Sequence, residues 1–332
     1  MLAYILRRLL IMVPTLLAIS VVIFTIIKLP PGDYLSSYVA ELQSEGEAVD
    51  AQKIEFLKKE YGLDKPAWQQ YFRWIGGLLR GDLGYSFEYN VPVRDIVGDK
   101  LLLTFIVSFA TVLFTYLVAF PIGIYSATRQ YSWSDHTLTL LGFIGLAVPN
   151  FLLALVLLYL ANRHFGISIG GLMDPAYLDA PWSLAKARSV LAHLWIPVIV
   201  IGLSGTAGMI RRLRANLLDE LQKQYVMTAR AKGLPPFRAL VKYPLRLALN
   251  PFIADIGSLL PHIISGATVV SVVMNLPTTG PMLLEALRSQ DMYLAGSFLM
   301  FLALLTVLGM LLSDLALAAL DPRIRLTGGR TR

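Results

Sequence analysis

Six long apolar stretches separated by polar connections dominate the pattern of this chain. They lie at residues 9–27, 101–127, 137–160, 190–210, 251–274 and 294–320. Each has about 19 to 27 residues, or about 30 to 40 Å as an α-helix, which suits a hydrocarbon core of about 30 Å. Because a helix makes its backbone hydrogen bonds internally, we predict six transmembrane helices and an all-α, polytopic membrane protein.

Composition agrees with this prediction. The 332 residues are 56% hydrophobic and 15% charged, with a mean hydropathy of +0.62. A soluble domain of this length cannot bury so much apolar surface, so we expect a bilayer to solvate it. The chain has no cysteine, which excludes disulfides and thiolate metal sites. Its net charge of +7 comes from basic residues between apolar stretches, which favours membrane topology over nucleic-acid binding.

The distribution of Lys and Arg predicts the orientation. Loop 211–250 carries nine basic residues against two acidic ones, and the N-terminus 1–8 and the tail 321–332 are also basic. The positive-inside rule places all three in the cytoplasm. Segment 28–100, with nine basic and twelve acidic residues, is then periplasmic, together with loops 161–189 and 275–293. Loop 161–189 gives the weakest evidence, because its basic residues outnumber its acidic ones.

Segment 28–100 carries structural signals at its start and in its middle. The first apolar stretch ends in Lys28-Leu-Pro-Pro-Gly32, which is a turn without a cleavage site, so we predict a retained helix instead of a signal peptide. Further on, Ala67–Leu79 has the spacing of a short helix between glycine-containing turns at 62–66 and 81–84.

The basic loop contains a candidate coupling element at residues 225–233. Val226, Met227 and Ala229 share one face of a predicted helix of about two turns, which is marginal in water unless it docks. Gly233 supplies a left-handed end, and the prolines after it prevent the helix from resuming. The alternative is an interfacial helix on anionic lipid. The full set is Tyr225, Val226, Met227, Thr228, Ala229, Arg230, Ala231, Lys232 and Gly233.

Polar residues within the fifth stretch are candidates for a translocation path. An ionisable group in lipid is costly and is functional by default, and a helix rich in small hydroxylated residues is expected to avoid lipid. Asp255 could instead pair with the basic loop, and His262 could bond a carbonyl in the bundle. The candidates are Asp255, Ser258, His262, Ser265 and Thr268.

Several motifs together resemble the permeases of ABC importers. Thr228–Gly233 reads Thr-Ala-Arg-Ala-Lys-Gly, similar to the "EAA" loop of the B-type permease of dipeptide and oligopeptide importers. The resemblance spans nearly the whole chain in the right order. Its other parts are Arg7-Arg8-Leu-Leu with Pro14, Pro31-Gly-Asp33, Tyr61-Gly-Leu-Asp64-Lys-Pro66, Gly81-Asp-Leu-Gly84-Tyr-Ser86, Pro92-Val93 and Leu320-Asp-Pro-Arg-Ile-Arg325.

This resemblance implies a type I ABC importer permease fold and a set of partners. It implies pairing with a second, similar permease, one or two cytoplasmic ATPase subunits and a periplasmic solute-binding protein. ATP and magnesium would be bound by the ATPase subunits, and the chain itself would hold no cofactor, metal or catalytic residue. The chain also lacks a Gly-x4-Gly-Lys-Ser/Thr loop.

Other functions stay open at this point. Met227 replaces the glutamate of the general pattern, and Leu276-Pro-Thr-Thr-Gly280-Pro departs from the usual peptide-permease sequence, so an oligosaccharide importer is an alternative. A proton-coupled carrier using Asp255, His262 and Asp314 is another. An intramembrane serine protease, with Ser204 of Gly202-Leu-Ser-Gly205 and His262 as a dyad, needs serine and imidazole within hydrogen-bond reach.

Overall fold

The computed structural model describes residues 2–30, 55, 59, 62, 64–165, 170–178 and 180–320. Within these ranges, the side chains of residues 2–4, 99, 165, 256–258, 260–263, 265–266 and 317–320 lie outside the description. The elements are α1 (Leu2–Lys28), α2 (Ala67–Leu79), β1 (Tyr85–Ser86), β2 (Val91–Pro92), α3 (Val93–Thr128), α4 (Trp133–Ala147), α5 (Asn150–Phe165), a 3-10 turn (Pro175–Tyr177), α6 (Leu184–Leu221), α7 (Gln224–Ala231), α8 (Pro236–Lys242), α9 (Pro244–Ala248), α10 (Asn250–Val273), α11 (Thr279–Arg288) and α12 (Met292–Leu320). They form two compact units, Met1–Leu102 with Thr278–Val307, and Leu103–Pro277 with Leu308–Arg332.

The described helices are long and apolar enough for a multi-pass protein. Four candidate spans, Ile5–Lys28, Val93–Thr128, Leu184–Leu221 and Met292–Ala316, each meet the length and hydropathy expected of a membrane helix. The bent pair α4 and α5 would be a fifth. Helix α10 coincides with the predicted stretch 251–274, and part of its side chains lies outside the description. The prediction of a mostly helical membrane protein is confirmed, and the count of six spans stays a prediction.

The predicted stretch 137–160 is not one straight helix, which corrects the sequence interpretation. Helices α4 and α5 meet at an angle of 97°. Val148 is extended, with φ −84° and ψ 121°, as expected for a residue that precedes proline. Pro149 therefore divides an apolar stretch whose composition alone reads as continuous.

Other predicted boundaries and loops also differ. Helix α6 runs to Leu221, well beyond the predicted end at residue 210, because 211–221 is rich in good helix formers. Loop 211–250 is accordingly almost entirely helical, with α7, α8 and α9 after α6. Loop 275–293 contains helix α11, which hydropathy could not reveal in so short a segment.

In the first unit, aromatic packing joins α1 to α2. Helix α2 has the bounds that its spacing predicts, Ala67–Leu79. Tyr71 packs edge-to-face on Phe24 with ring centroids 5.5 Å apart, and its hydroxyl lies 2.8 Å from Ser20 Oγ. Trp74 is buried against the same Phe24 ring, 6.1 Å away between centroids. The predicted helix is thus present and held by its buried aromatic face.

A small hairpin follows α2 and departs from the all-α expectation. β1 and β2 pair antiparallel, Tyr85 with Pro92 and Ser86 with Val91. Asn90, at φ 54°, provides the left-handed turn residue. The hairpin is anchored by the fully buried Asp291, whose Oδ2 accepts from Ser86 Oγ at 2.7 Å and whose Oδ1 accepts from Leu294 N–H at 3.1 Å. Burial raises the pKa of the Asp291 carboxyl.

In the second unit, α6 is the central helix and contributes to two buried clusters. One cluster surrounds Ile196, Val200 and Ile201 and includes Val270 and Met274 of the segment around α10. The other lies beneath the basic loop and joins Leu213 and Leu217 of α6 to Ala119, Ala248 and Phe252. Helices α8 and α9, which contribute to this cluster, therefore rest on a packed base.

Candidate functional site in the basic loop and adjoining cavity

Helix α7, Gln224–Ala231, forms in the middle of the basic loop where a short helix is predicted. Its end is a complete Schellman motif. Gly233 N–H donates to Arg230 O at 2.9 Å, and Leu234 N–H donates to Ala229 O at 3.2 Å. Gly233 has φ +81°, so the glycine provides the left-handed residue that ends the helix. The local sequence thus fixes both the position and the end of α7.

The two faces of α7 differ from the prediction at one residue. Val226 and Ala229 are buried, as expected of the docked face, and Arg230 and Lys232 are exposed. Met227 is 60% exposed, so the prediction that it shares the buried face is wrong. It lies one residue after Val226, about 100° around the helix, and so turns away from the buried face. The exposed face therefore presents a flexible apolar thioether beside cations.

Tyr225 connects α7 to its surroundings. Its hydroxyl donates to the Glu220 carboxylate at the end of α6, and its ring lies 6.4 Å from that of Tyr243. Burial, together with the adjacent Glu220 carboxylate, raises the pKa of Tyr225 above its ordinary value. The phenol consequently stays protonated and keeps its donor role at physiological pH.

A second polar centre, around Asp135, was not anticipated from the sequence. Asp135 is buried and accepts from Arg214 twice, Nε to Oδ1 at 3.0 Å and Nη2 to Oδ2 at 2.8 Å. Ser126 Oγ and Tyr131 N–H also donate to it. This carboxylate joins the end of α3, the following turn, α4 and α6. The pattern Ser132-x-x-Asp135, a capping signal, was the available clue.

Asp255, a predicted path residue, lies beside the basic loop. Its Oδ2 is 2.6 Å from Arg212 Nη2, so pairing with a basic residue, the alternative considered for it, is observed. Arg212 also stacks 4.8 Å above the Phe252 ring. Thr268 donates to Ile264 O of its own helix at 3.3 Å. The side chains of Ser258, His262 and Ser265 lie outside the described residues, so the structure does not place them.

A cavity of about 600 Å³ lies beside residues 201–215 of α6. One face of α6 forms most of its wall, and glycines at 202, 205 and 208 keep that wall free of side chains. Polar groups come from α3, α5 and α6. The described lining is Thr111, Thr115, Asn150, Ile201, Gly202, Ser204, Gly205, Gly208, Met209, Arg211, Arg212, Ala215 and Leu259. Such a cavity has the size and mixed polarity of a small-solute site.

The residues proposed for other chemistry are placed only in part. Ser204 accepts from Asn150 Nδ2 at 3.4 Å, and the His262 side chain that a protease would need is outside the description. Within the described part of the chain, no group of three or more His, Cys, Asp or Glu side chains could hold a metal ion. What the described geometry does show is a multi-helix membrane protein with a docked surface helix and a polar cavity.

Comparison with known proteins identifies the family. A family model described as the inner membrane component of binding-protein-dependent transport systems matches residues 119–326, and the N-terminal model of the same systems matches residues 1–110. The chain therefore belongs to this family of inner-membrane transport components. It is a multi-pass protein of the inner membrane.

Individual relatives match over the full length. The oligopeptide transport system permease protein AppB of Bacillus subtilis is 33% identical over 98% of this chain and 99% of its own. The dipeptide transport system permease protein DppB of Escherichia coli is 30% identical over 98% of this chain and 99% of its own. The glutathione transport system permease protein GsiC of Pectobacterium atrosepticum is 31% identical over 98% and 99%.

Proposed function

We propose that this chain is a permease subunit of an ABC importer that carries short peptides across the inner membrane. The family supports the transport role, and the relatives named for oligopeptide, dipeptide and glutathione transport support the peptide class. None of these names points to an oligosaccharide, a proton-coupled carrier or a protease. The match over 98% of the chain carries the proposal.

The partners follow from a binding-protein-dependent system. We assign it a second homologous permease, one or two cytoplasmic ATPase subunits and a periplasmic solute-binding protein, within a lipid bilayer. ATP and magnesium belong to the ATPase subunits, and this chain has no catalytic or metal-binding role. Nucleic acid is not a partner, because the basic residues serve topology and docking.

Coupling is assigned to residues 225–233. The Schellman end at Gly233 and the buried pair Val226 and Ala229 hold α7 in place beside α8. Helix α8 rests on the buried cluster under the loop, so a push on the exposed face of α7 would reach that cluster through α8. ATP-driven closure of the ATPase subunits would shift α7 and change which side of the membrane the path opens to. The path combines the α6 cavity with the candidates on α10.

Six spans with both termini in the cytoplasm complete the proposal. Segment 28–100 then lies in the periplasm and receives the loaded binding protein. Tertiary contacts hold its described part in place. Phe24 packs against Tyr71 of α2, and Asp291 accepts a hydrogen bond from Ser86 of the hairpin. A surface fixed in this way is suited to repeated docking.

Cysteine crosslinking tests the coupling assignment directly. Because the chain has no cysteine, each introduced thiol is unique. Met227→Cys and Arg230→Cys, both on the exposed face of α7, should crosslink to an ATPase subunit in native membranes. Immunoblots of the crosslinked complex give the readout.

The matched control is Arg80→Cys, which is also exposed and lies in the segment assigned to the periplasm. It should give no product with the ATPase. If neither thiol on α7 reaches the ATPase while the assembled complex is present, the coupling role of this helix is wrong.

A further inference from the structure

Three arginines lie within one turn at the end of the fourth apolar stretch, and two of them have internal partners. Arg214 forms a bidentate pair with the buried Asp135. Arg212 pairs with Asp255 at 2.6 Å and stacks on Phe252. These contacts account for the charges of Arg212 and Arg214 within the protein.

Arg211 differs from both. It is exposed and lines the α6 cavity, and no residue that the structure describes forms an ion pair or hydrogen bond with its guanidinium. The described lining of the cavity also contains no Asp or Glu. A guanidinium that lines a cavity and has no carboxylate partner among the described residues is available to bind an anion that enters the cavity.

The other polar groups of the cavity suit a peptide. Thr115, Asn150 and Ser204 provide hydroxyl and amide groups that can bind peptide N–H and C=O groups. The C-terminal carboxylate of a peptide is ionised at neutral pH and matches the planar fork of an arginine. The absence of acidic groups from the described lining favours the carboxylate end of the solute over its ammonium end.

We infer that Arg211 binds the C-terminal carboxylate of the peptide as it passes through the α6 cavity. This inference rests on the proposed function and adds a specificity determinant to it. It makes the membrane path itself favour a peptide with a free carboxylate, whatever the binding protein accepts. The neighbouring arginines cannot replace Arg211, because each already has a carboxylate partner.

The test uses the complete importer in liposomes, with its binding protein and ATPase subunits. Uptake is compared for one short peptide as the free acid and as the C-terminal amide, at concentrations that saturate the binding protein with each. Arg211→Gln should lower uptake of the free acid about tenfold, as expected for loss of one charge-assisted hydrogen bond, and change uptake of the amide less than about twofold. Arg211→Lys should be intermediate, because it keeps the charge and loses the fork.

The control is Arg129→Gln, which removes the same charge from an exposed turn outside the cavity. It should leave both uptakes unchanged. If Arg211→Gln lowers uptake of the acid and the amide equally, or lowers neither, the inference is wrong while the proposed function stands. The same holds if the Arg211→Gln subunits fail to assemble, because a neighbouring subunit would then be the partner of Arg211. If the native importer moves neither form of the peptide, the proposed function itself is wrong.

Discussion

Positions 202 and 233 both favour glycine, but for different structural reasons. At Gly202 an added Cβ would lie 2.8 Å from the Phe114 ring, so the limit is space. At Gly233 the space is open, with no atom within 4 Å, and φ is +81°. The limit there is the backbone conformation, which costs other residues about 1–2 kcal/mol and β-branched ones more.

Replacing Gly233 with valine should uncouple transport from ATP hydrolysis. The Schellman end would open and α7 would lose its fixed position, so uptake per ATP hydrolysed should fall severalfold in the reconstituted importer. Gly233→Asn should retain more coupling, because asparagine tolerates the left-handed conformation. Gly98→Val is the matched control, since Gly98 has open space and helical geometry. Native uptake per ATP in Gly233→Val would contradict the role of this end.

Sequence predicted the turn residues of α7 well and its packing less well. Gly233 and the prolines after it signal a helix end by local chemistry that needs no tertiary information. Which apolar residue faces the base depends on the orientation of α7, and Met227 was therefore assigned to the wrong face. Asp135 was missed because its partner Arg214 is distant along the chain and belongs to a set of basic residues that topology already explained.

At the scale of helices, the two ion pairs of the second unit differ in burial. The Asp135 side chain is 2% exposed and that of Arg214 is 26% exposed, whereas Asp255 and Arg212 are 37% and 47% exposed. A buried pair that loses one partner leaves a charge without solvent, while an exposed pair contributes little. The Asp135 pair should therefore contribute more to the packing of α3, α4 and α6 than the exposed Asp255 pair contributes to its surroundings.

Asp135→Asn should destabilise the protein by about 3 kcal/mol or more, because the Arg214 charge stays behind. Thermal unfolding in detergent should show a fall in Tm of about 5 °C or more. Arg212→Gln, which breaks the more exposed pair, should shift Tm by less than about 2 °C. Similar shifts for the two variants would show that burial does not separate these pairs.

At the scale of the whole molecule, charge placement predicts the topology. Loop 161–189 was the weak point, because it has more basic than acidic residues. The structure accounts for one of them, since the buried Lys186 donates to Ala180 O at 2.7 Å and to Leu178 O at 3.4 Å. A lysine used to hold a loop together says little about orientation.

Single cysteines should report this topology in right-side-out vesicles. An impermeant thiol reagent should label Arg80→Cys and Ala176→Cys at once, and Lys223→Cys only after the membrane is opened. All three positions are exposed, so access to the reagent depends on the side of the membrane. Ala176 is the decisive position, because its loop has the weakest charge signal. Labelling of Lys223→Cys in sealed vesicles would reverse the orientation.

The apolar stretches were easier to locate from sequence than the shapes of the helices that they form. Apolar length alone finds the stretches, because hydropathy measures solvation by lipid. It cannot find the 97° bend between α4 and α5, since Val148 and Pro149 are both apolar and change the mean hydropathy little. Helix α11 and the hairpin at 85–92 were missed for a related reason, because their stability comes from long-range contacts such as Ser86 with Asp291.

The bend at Pro149 has a consequence for hydration. Pro149 has no N–H to give to the carbonyl of Gly145, so an oxygen that a straight helix would satisfy is left needing another donor. Asn150, the next residue, lines the α6 cavity, so the bend borders a space large enough for solvent. Water that enters this cavity would reach Asn150 beside the break in the helix, so the bend would be hydrated before any solute arrives.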